Sequence, residues 1–165
     1  MKKIWIAGTL IFLLTLFLPS VKVLSISVRT DLSEKVYSRR AQKNGWSIDY
    51  THSVNKGRVY DYYRATKDDC LELYKTEFVS YGAGIPEAVE TPGAVFSVEQ
   101  DFYSISSMER KLKTLVMAVG VVAEHSIVID GNELFLKNLY SPMTSLVFQI
   151  KKTSLLDYII TKKIP

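Results

Sequence analysis

The residues best suited to chemistry lie close together in the first half of the chain. One of the two histidines, His52, lies in the stretch WSIDYTHSV (46–54), and Asp61 follows within RVYDYY (58–63). An imidazole near a carboxylate is suited to act as a general base, a metal ligand or a pH-sensitive ligand contact. A core histidine that bonds to a carbonyl is the fourth interpretation. The residues alone leave all four open.

The local pattern predicts that His52 and Asp61 lie on the two strands of a hairpin. Aromatic or apolar residues alternate with polar ones over 46–54, which is the period of a β-strand. Asn55-Lys56-Gly57 is a compact turn. A turn centred on this tripeptide places Asp61 opposite Thr51 and pointing away from His52, because a shift of one residue changes the face. A direct pair between His52 and Asp61 would then require a bulge.

Two kinds of enzymatic site would use these side chains. A zinc site needs about three protein ligands, which His52, His125 and one carboxylate could supply, but the sequence has no H-x-H, H-E-x-x-H or C-x-x-C motif. A Ser-His-Asp site could use Ser53, but there is no G-x-S-x-G elbow, and adjacent residues of a strand point to opposite faces. A cell-envelope hydrolase or metal-dependent enzyme is therefore the alternative, and we expect no catalytic residue, metal or cofactor.

The run FVSYGAGIPE (78–87) is a candidate contact loop. Its G-A-G lacks the third glycine of the dinucleotide fingerprint and the Lys-Ser/Thr of a P-loop, so it does not indicate a phosphate site. It can instead present backbone N–H groups to a ligand or partner. The candidate residues in it are Tyr81, Gly82, Gly84, Pro86 and Glu87. Farther along, Arg110 can pair with a carboxylate through two hydrogen bonds.

The N-terminus has the pattern of a targeting segment. Lys2 and Lys3 precede an apolar run over residues 4–18, and Pro19 ends it. A basic start followed by an apolar stretch is typical of a secretory signal. A membrane-spanning helix needs about 20 apolar residues, a length that this run reaches only if it continues to Leu24.

The fate of this segment depends on whether a cleavage site follows it. No A-x-A sequence does, and Ser25-Ile26-Ser27 is the nearest pair of small residues. We therefore predict an uncleaved signal anchor over residues 1–24 and an extracytoplasmic domain over residues 25–165. The two lysines before the run predict that the N-terminus is inside and the domain outside. We expect a single-pass protein of the cell membrane, or a secreted one if the signal is cleaved.

Charge and cysteine content exclude several classes of protein. The chain has 21 Lys and Arg against 17 Asp and Glu, but three of the lysines lie in or beside the anchor, which leaves a net charge of +1 from residue 25 onward. A nearly neutral domain without a basic patch is not a nucleic-acid binder. Cys70 is the single cysteine, so the chain can form neither an internal disulfide nor a lipoprotein anchor at its start.

Short strands separated by turns dominate the rest of the chain. Candidate strands over residues 46–54, 59–66 and 70–80 predict a meander, and Asp130-Gly131-Asn132 predicts a hairpin turn. About seven to nine strands with this turn spacing are typical of sandwiches and barrels. The sequence therefore predicts an all-β, antiparallel sandwich or barrel-like domain, preceded by one N-terminal hydrophobic helix.

Three segments of the second half lead to separate predictions. SSMERKLK (106–113) is polar and indicates a corner or a short helical turn. TLVMAVGVVA (114–123) indicates a central strand that is covered on both faces. In the tail (154–165), Ser154 and Asp157 form a weak capping box, whereas the β-branched residues favour a strand, so both remain open there.

Several motifs together resemble the family known as domain of unknown function 1850, whose members are small exported proteins. The resemblance is carried by W-x-I-x-Y-T-H-S-V, the acidic residue within V-Y-D-Y-Y, F-V-S-Y-G-A-G-I-P-E, M-E-R-K-L and V-A-E-H-S-I-V-I-D-G, and it covers residues 44–150. Family members often have glutamate where this chain has Asp61, so the side chain here is one methylene shorter. The family pattern falls on Tyr50, His52, Ser53, Val54, Asp61, Gly82, Gly84 and Pro86.

The resemblance implies a place of action rather than a reaction. Family members resemble accessory proteins of TRAP-type transporters of the TAXI class, which use an ion gradient to import carboxylate-like solutes. It therefore implies a membrane-anchored accessory protein. Such a protein would dock on the permease or its solute-binding protein, or bind a small anionic solute. The enzyme described above and a purely structural envelope protein are the alternatives.

Overall fold

The chain folds into two β-sheets that enclose one core. The computed structural model describes residues 14–80, 92–99 and 101–164, and twelve strands lie within these ranges, more than the seven to nine predicted. The predicted all-β, sandwich-like class is confirmed. The elements are β1 (Pro19–Val28), β2 (Lys35–Ser38), α1 (Arg39–Asn44), β3 (Trp46–Thr51), β4 (Arg58–Ala65), β5 (Leu71–Phe78), β6 (Val95–Glu99), β7 (Phe102–Leu112), β8 (Leu115–Ala118), β9 (Ser126–Ile129), β10 (Asn132–Phe135), a 3₁₀ turn (Leu136–Asn138), β11 (Ser145–Ser154), α2 (Leu155–Ile160) and β12 (Lys162–Lys163).

The five-stranded sheet has the order β12-β2-β1-β11-β8. Its centre is the antiparallel pair of β1 and β11, which runs from Pro19 opposite Ser154 to Val28 opposite Leu146. β12 pairs in parallel with β2. The sheet therefore depends on strands from the two ends of the described chain.

The seven-stranded sheet has the order β10-β9-β3-β4-β5-β7-β6. The predicted meander is present, because β3, β4 and β5 follow one another both in sequence and in the sheet. The predicted hairpin joins β9 to β10, and Asp130 and Gly131 at its turn have φ values of 50° and 78°. Two successive residues with positive φ suit the right-handed twist of paired strands.

Alternation along the strands decides which side chains form the core. Leu24, Ile26 and Val28 of β1 point between the sheets, where they join the inner residues of the seven-stranded sheet in one cluster. The opposite face of β1 carries Val21 and Val23, which form a second, smaller cluster with Tyr37 and Tyr158. Burial of about 25 cal/mol per Å² of apolar surface makes these two clusters the main source of stability.

In the stretch 106–113, residues 106–112 continue β7 and do not form a corner or a helical turn. The pairing shifts where Leu73 lies opposite Arg110 and Lys75 lies opposite Ser106, so β7 bulges at this point. Positive φ values at Ser107 and Glu109 absorb the extra residues. The run looked unlike a strand because a bulge breaks the period of two.

The apolar run 114–123 also differs from its prediction. Only Leu115–Ala118 is a strand, and it pairs with β11 alone at the edge of its sheet. Val116 is 46% exposed, so the strand is not covered on both faces. The rest of the run is a loop.

The two ends of the described chain each bear on a prediction made from the sequence. Of the two structures left open for the tail, both occur: the helix α2, with the Ser154 side chain accepting a hydrogen bond from the backbone N–H of Asp157 as its N-cap, and the strand β12. Residues 19–24, placed with the anchor on sequence grounds, are the first part of β1. Residues 1–13, and with them most of the predicted hydrophobic helix, lie outside the described residues. Within those residues, none of the helices has the length and apolar character needed to cross a bilayer.

Candidate ligand-binding site

Asp61 lies on the inner face of β4, between β3 and β5. It pairs with Ile48 on one side and Thr76 on the other, so its side chain shares the face of the core residue Ile48. The predicted register, with Asp61 opposite Thr51, was wrong by three residues. The reason is that the loop between the strands takes in residues 52–57 rather than the central tripeptide alone.

Two hydroxyl groups hold the Asp61 carboxyl. Thr76 Oγ1 donates to Asp61 Oδ1 at 2.8 Å, and the Tyr50 hydroxyl donates to the same carboxyl. Tyr50 pairs with Val59, which makes it the diagonal neighbour of Asp61, a separation that an aromatic side chain can bridge. Burial, helped by the charge of Asp61 and the bond to it, raises the pKa of Tyr50. Tyr50 is therefore a hydrogen-bond donor here.

A cavity of about 160 Å³ opens beside these groups. Its polar wall comes from Tyr50, Asp61 and Arg110, and the rest of its lining from Tyr63, Leu73, Leu112 and Leu115. Leu115 belongs to β8 and the other lining residues to the opposite sheet, so the cavity lies between the two sheets. Apolar cavities of about 150 Å³ hold a molecule the size of benzene, and this one suits a solute of comparable size.

The Asp61 carboxyl resists ionisation. Burial raises its pKa to about 6 from an ordinary value of 3.8, although the hydrogen bonds from Thr76 and Tyr50 lower it. The charge of Asp49 raises the pKa further, and that of Arg110 lowers it. The side chain keeps partial exposure. Asp61 is therefore a carboxyl that can change its protonation in the mildly acidic range.

Arg110 supplies positive charge at the same cavity. It lies on β7 opposite Leu73, and its side chain is exposed. A guanidinium binds carboxylates through two parallel hydrogen bonds. The cavity thus combines an exposed group that binds anions with a deeper carboxyl and phenol that can donate hydrogen bonds.

His52 shapes the β3–β4 turn instead of joining Asp61. Its Nδ1 accepts hydrogen bonds from the backbone N–H of Val54 at 3.2 Å and of Asn55 at 3.4 Å. The backbone N–H of His52 donates to the Gly57 carbonyl at 2.8 Å, and the backbone carbonyl of His52 accepts from the backbone N–H of Lys56 at 3.1 Å. His52 is buried. The histidine therefore closes the turn, and His52 and Asp61 take different partners.

Of the remaining predicted contact residues, the structure describes Ser53, which lies in this turn. Ser53 is exposed, and its carbonyl accepts a hydrogen bond from Lys56 Nζ at 2.7 Å. The Asn55 side chain donates to the carbonyl of Ser80 at 2.9 Å, so the chain leaves β5 beside the turn. The loop that follows, with the predicted contacts Tyr81, Gly82, Gly84, Pro86 and Glu87, lies outside the described residues.

The second histidine packs beside Tyr50. The ring centroids of Tyr50 and His125 are 5.5 Å apart, and His125 Nδ1 accepts a hydrogen bond from the Gly120 N–H at 3.0 Å. Burial, with the charge of Arg58, lowers the pKa of His125, so its ring is neutral at neutral pH. Among the residues that the structure describes, no three His, Cys, Asp or Glu side chains are grouped to hold a metal ion.

Sequence reasoning missed Thr76 and the apolar half of the cavity. A signal for the cavity was present in β4, where Val59, Asp61 and Tyr63 occupy alternate positions. Val59 and Tyr63 are buried, and a carboxylate between two inward residues requires hydrogen-bond partners because an unpaired buried charge is costly. Thr76 and the leucines come from strands whose register only the fold reveals.

Comparison with known proteins bears on the same region. The family model described as a domain of unknown function, DUF1850, matches residues 46–136, which is more than half of the 165 residues. The matched range contains every residue that lines the cavity. No curated protein and no solved structure matches the chain. The resemblance seen in the motifs is confirmed, and the chain belongs to the family of the domain of unknown function DUF1850.

Proposed function

We propose that this protein is a membrane-anchored, extracytoplasmic accessory protein of a TRAP-type solute transporter, and that it binds a small carboxylate at Asp61. The binding role is carried by one observation, the presence of Arg110, Asp61 and Tyr50 in the wall of a single cavity. The apolar run 4–18 supports the membrane anchor. The resemblance of the motifs to transporter-linked proteins supports the partner.

The polar groups of the cavity suit an anionic solute in a particular orientation. Arg110 binds the solute carboxylate at the exposed side. Protonated Asp61 and the Tyr50 hydroxyl donate hydrogen bonds to oxygens deeper in the cavity, while leucine side chains such as Leu112 pack against the carbon chain. Ionised Asp61 cannot donate and repels an anion. Affinity therefore falls as the pH rises through about 6, by up to about tenfold per pH unit for one linked proton.

Titration calorimetry tests the solute. The full chain in mild detergent is titrated with short-chain mono- and dicarboxylates at about pH 5 and about pH 8, on either side of the Asp61 transition. We expect binding that is tighter at the lower pH, lost in Arg110→Ala, and equal at both pH values in Asp61→Asn. Arg64→Ala, whose guanidinium pairs with Glu72 at 2.8 Å, is the control and should bind normally. Absence of heat for every solute at both pH values would rule out the carboxylate.

A second experiment tests the transporter. Tagged full-length protein is extracted gently from membranes of its own host, and co-purifying proteins are identified by mass spectrometry. We expect a stoichiometric TRAP permease or solute-binding protein that is lost in His52→Ala and Gly84→Val, and retained in Lys113→Ala, an exposed residue outside the motifs. If neither component co-purifies with the wild-type protein, the transporter assignment is wrong. Carboxylate binding in the cavity is tested separately, by the calorimetry.

A further inference from the structure

One end of the five-stranded sheet carries an apolar surface made by two distant segments. We call it the proximal face; its exposed side chains are Leu14, Phe17, Leu18, Leu155, Leu156, Ile159 and Ile160. The segments touch, because the Leu156 N–H donates to the Leu16 carbonyl at 3.1 Å. Ile159 and Ile160 are 62% and 72% exposed. Exposed apolar groups gathered in one place indicate a contact surface.

The fold holds these apolar side chains outward. Asp157, in the first turn of α2, accepts hydrogen bonds from Tyr37 at 2.6 Å and Lys35 at 3.0 Å, and from Thr153. These bonds fix the polar side of the helix against β2 and β11. The opposite side of α2, with Ile159 and Ile160, must then face away from the sheet. The exposure is a property of the packed helix and not of a loose tail.

Basic side chains border the proximal face. Lys162 and Lys163 are exposed directly after α2, and Lys163 lies 4.6 Å from the centre of the Tyr158 ring. The one acid of the helix, Asp157, is engaged with the sheet. An apolar centre with lysines and an aromatic residue at its rim is the composition of elements that lie on anionic membranes.

The connectivity of the chain says what covers this surface. The apolar run 4–18 ends inside the proximal face, because Leu14, Phe17 and Leu18 belong to both. The inference rests on the membrane anchor of the proposed function: with the run 4–18 in the bilayer, lipid lies where the run meets the domain. α2 is attached at that same point through Leu16.

We propose that the proximal face lies on the surface of the bilayer, with Ile159 and Ile160 in the boundary between headgroups and acyl chains. The lysines at its rim then meet anionic headgroups. The folded domain is in this way held to the membrane at two places, the N-terminal run and α2, which fixes its orientation. This contact adds to the N-terminal anchor and does not depend on the transporter or on the cavity.

Site-specific fluorescence in vesicles tests the contact on the full chain. The lone cysteine is replaced as Cys70→Ser, and single cysteines are introduced as Ile160→Cys or, in the control, Leu32→Cys. Leu32 is also an exposed apolar residue, 59% exposed, in the loop after β1 at the other end of that strand. Both are labelled with an environment-sensitive dye in vesicles of phosphatidylcholine and phosphatidylglycerol that contain spin-labelled acyl chains.

The expected result is a blue-shifted dye at position 160 that loses most of its emission to the spin-labelled lipid, and a dye at position 32 that only aqueous iodide quenches. Omitting phosphatidylglycerol should weaken the lipid quenching at 160. Iodide quenching at 160 equal to that at 32 would overturn the proposal. A blue shift without lipid quenching would also overturn it, because protein, such as a second copy of the chain, would then be the cover.

Discussion

At the scale of the residue, burial of the Asp61 carboxyl makes the folded protein less stable at neutral pH, where this group ionises. Its pKa in the folded protein, about 6, exceeds the ordinary value of 3.8, so the folded chain holds the proton more tightly than the unfolded chain. The stability linked to the protonated form is complete below about pH 4 and is lost as the pH rises through 6. Carboxyls kept in such a state are common at functional sites.

Removing the charge of Asp61 should therefore stabilise the protein. Asp61→Asn keeps the shape of the side chain and an acceptor for Thr76, and we expect a gain of roughly 1–3 kcal/mol in the free energy of unfolding at pH 8. Near pH 4 the variant and the wild type should be equal. Urea unfolding of the full chain in mild detergent at both pH values measures this, with Glu77→Gln as the control. A variant less stable than wild type at pH 8 would show that the carboxylate is satisfied.

His52 leads to a different prediction because its ring closes a turn. His52→Ala leaves the N–H groups of Val54 and Asn55 without their acceptor, which should cost about 1–2 kcal/mol. Asn can accept from the N–H two residues on, so His52→Asn should restore much of the loss. The same unfolding measurement decides, and equal stabilities for Ala and Asn would contradict the turn-closing role.

The candidate site was partly visible in the sequence. Tyr50, Asp61 and Arg110 were selected as contact residues, and the structure brings these three together at one cavity. Their arrangement was not visible, because the length of a turn sets the register of a hairpin and one residue reverses the face. His52, also selected as a contact residue, does not line this cavity, and its Nδ1 accepts hydrogen bonds from its neighbours in the turn.

At the scale of the element, β1 shows how an apolar strand can be read as part of an anchor. Val21, Val23 and Leu24 continue the run 4–18 in the sequence, yet all three are core residues. The charge of Lys22, between them, is compensated, because its Nζ donates to the Thr66 carbonyl and pairs with the Asp69 carboxylate at 2.6 Å. Lys22 shares the inner face of β1 with Leu24 and Ile26 and reaches toward the other sheet, so the available signal was a charged residue inside the apolar stretch and not a period of two.

Truncation tests this position of β1. A chain that lacks residues 1–17 should fold, because the strand and its partners remain. A chain that lacks residues 1–27 should not, because the ladders to β2 and β11 and several core side chains are gone. Near-UV circular dichroism and the cooperativity of thermal unfolding distinguish the two. A cooperative transition in the shorter chain would mean that β1 is dispensable.

The helix α2 depends on one carboxylate. Hydrogen bonds from Thr153, Tyr37 and Lys35 together outweigh burial and place the pKa of Asp157 well below 3.8, so this stabilisation is present above about pH 4 and is lost on acidification. Since the side chain is about one-third exposed (32%), we expect Asp157→Asn to cost about 1–2 kcal/mol at pH 7. The difference from wild type should shrink below about pH 3. Asp31→Asn, in an exposed turn, is the control, and unfolding curves at the two pH values measure both.

At the scale of the whole molecule, the class of fold was predictable and the partition into sheets was not. Turn spacing and alternation indicate an all-β domain, and the meander from β3 to β5 follows from short connections. The five-stranded sheet is built by non-local pairs such as β1 with β11 and β2 with β12. Local periodicity carries no information on which distant strands meet, and the bulge in β7 hid the longest strand.

The two proposed contacts lie at different heights on the molecule. Leu115, in the cavity wall, pairs with Phe148 of β11. The end of β11 next to the proximal face is Ser154, which lies opposite Pro19. Six residues of strand span roughly 20 Å at about 3.3 Å each. The cavity is therefore about that far along the sheet from the proposed membrane surface.

The pairing of β1 with β11 also sets the order in which the molecule can be completed. β1, the first strand of the described residues, must wait for β11, which lies more than 100 residues later in the chain, and closing so long a loop makes folding slow. If the chain is exported N-terminal end first, β1 leaves the membrane unpaired, with two apolar faces and both edges open. The meander β3–β5 can form early, but the sandwich closes only when β11 has also crossed. If the domain is exported as we propose, export and folding are separate events in time, and the interval between them is when a chaperone of the cell envelope would be needed.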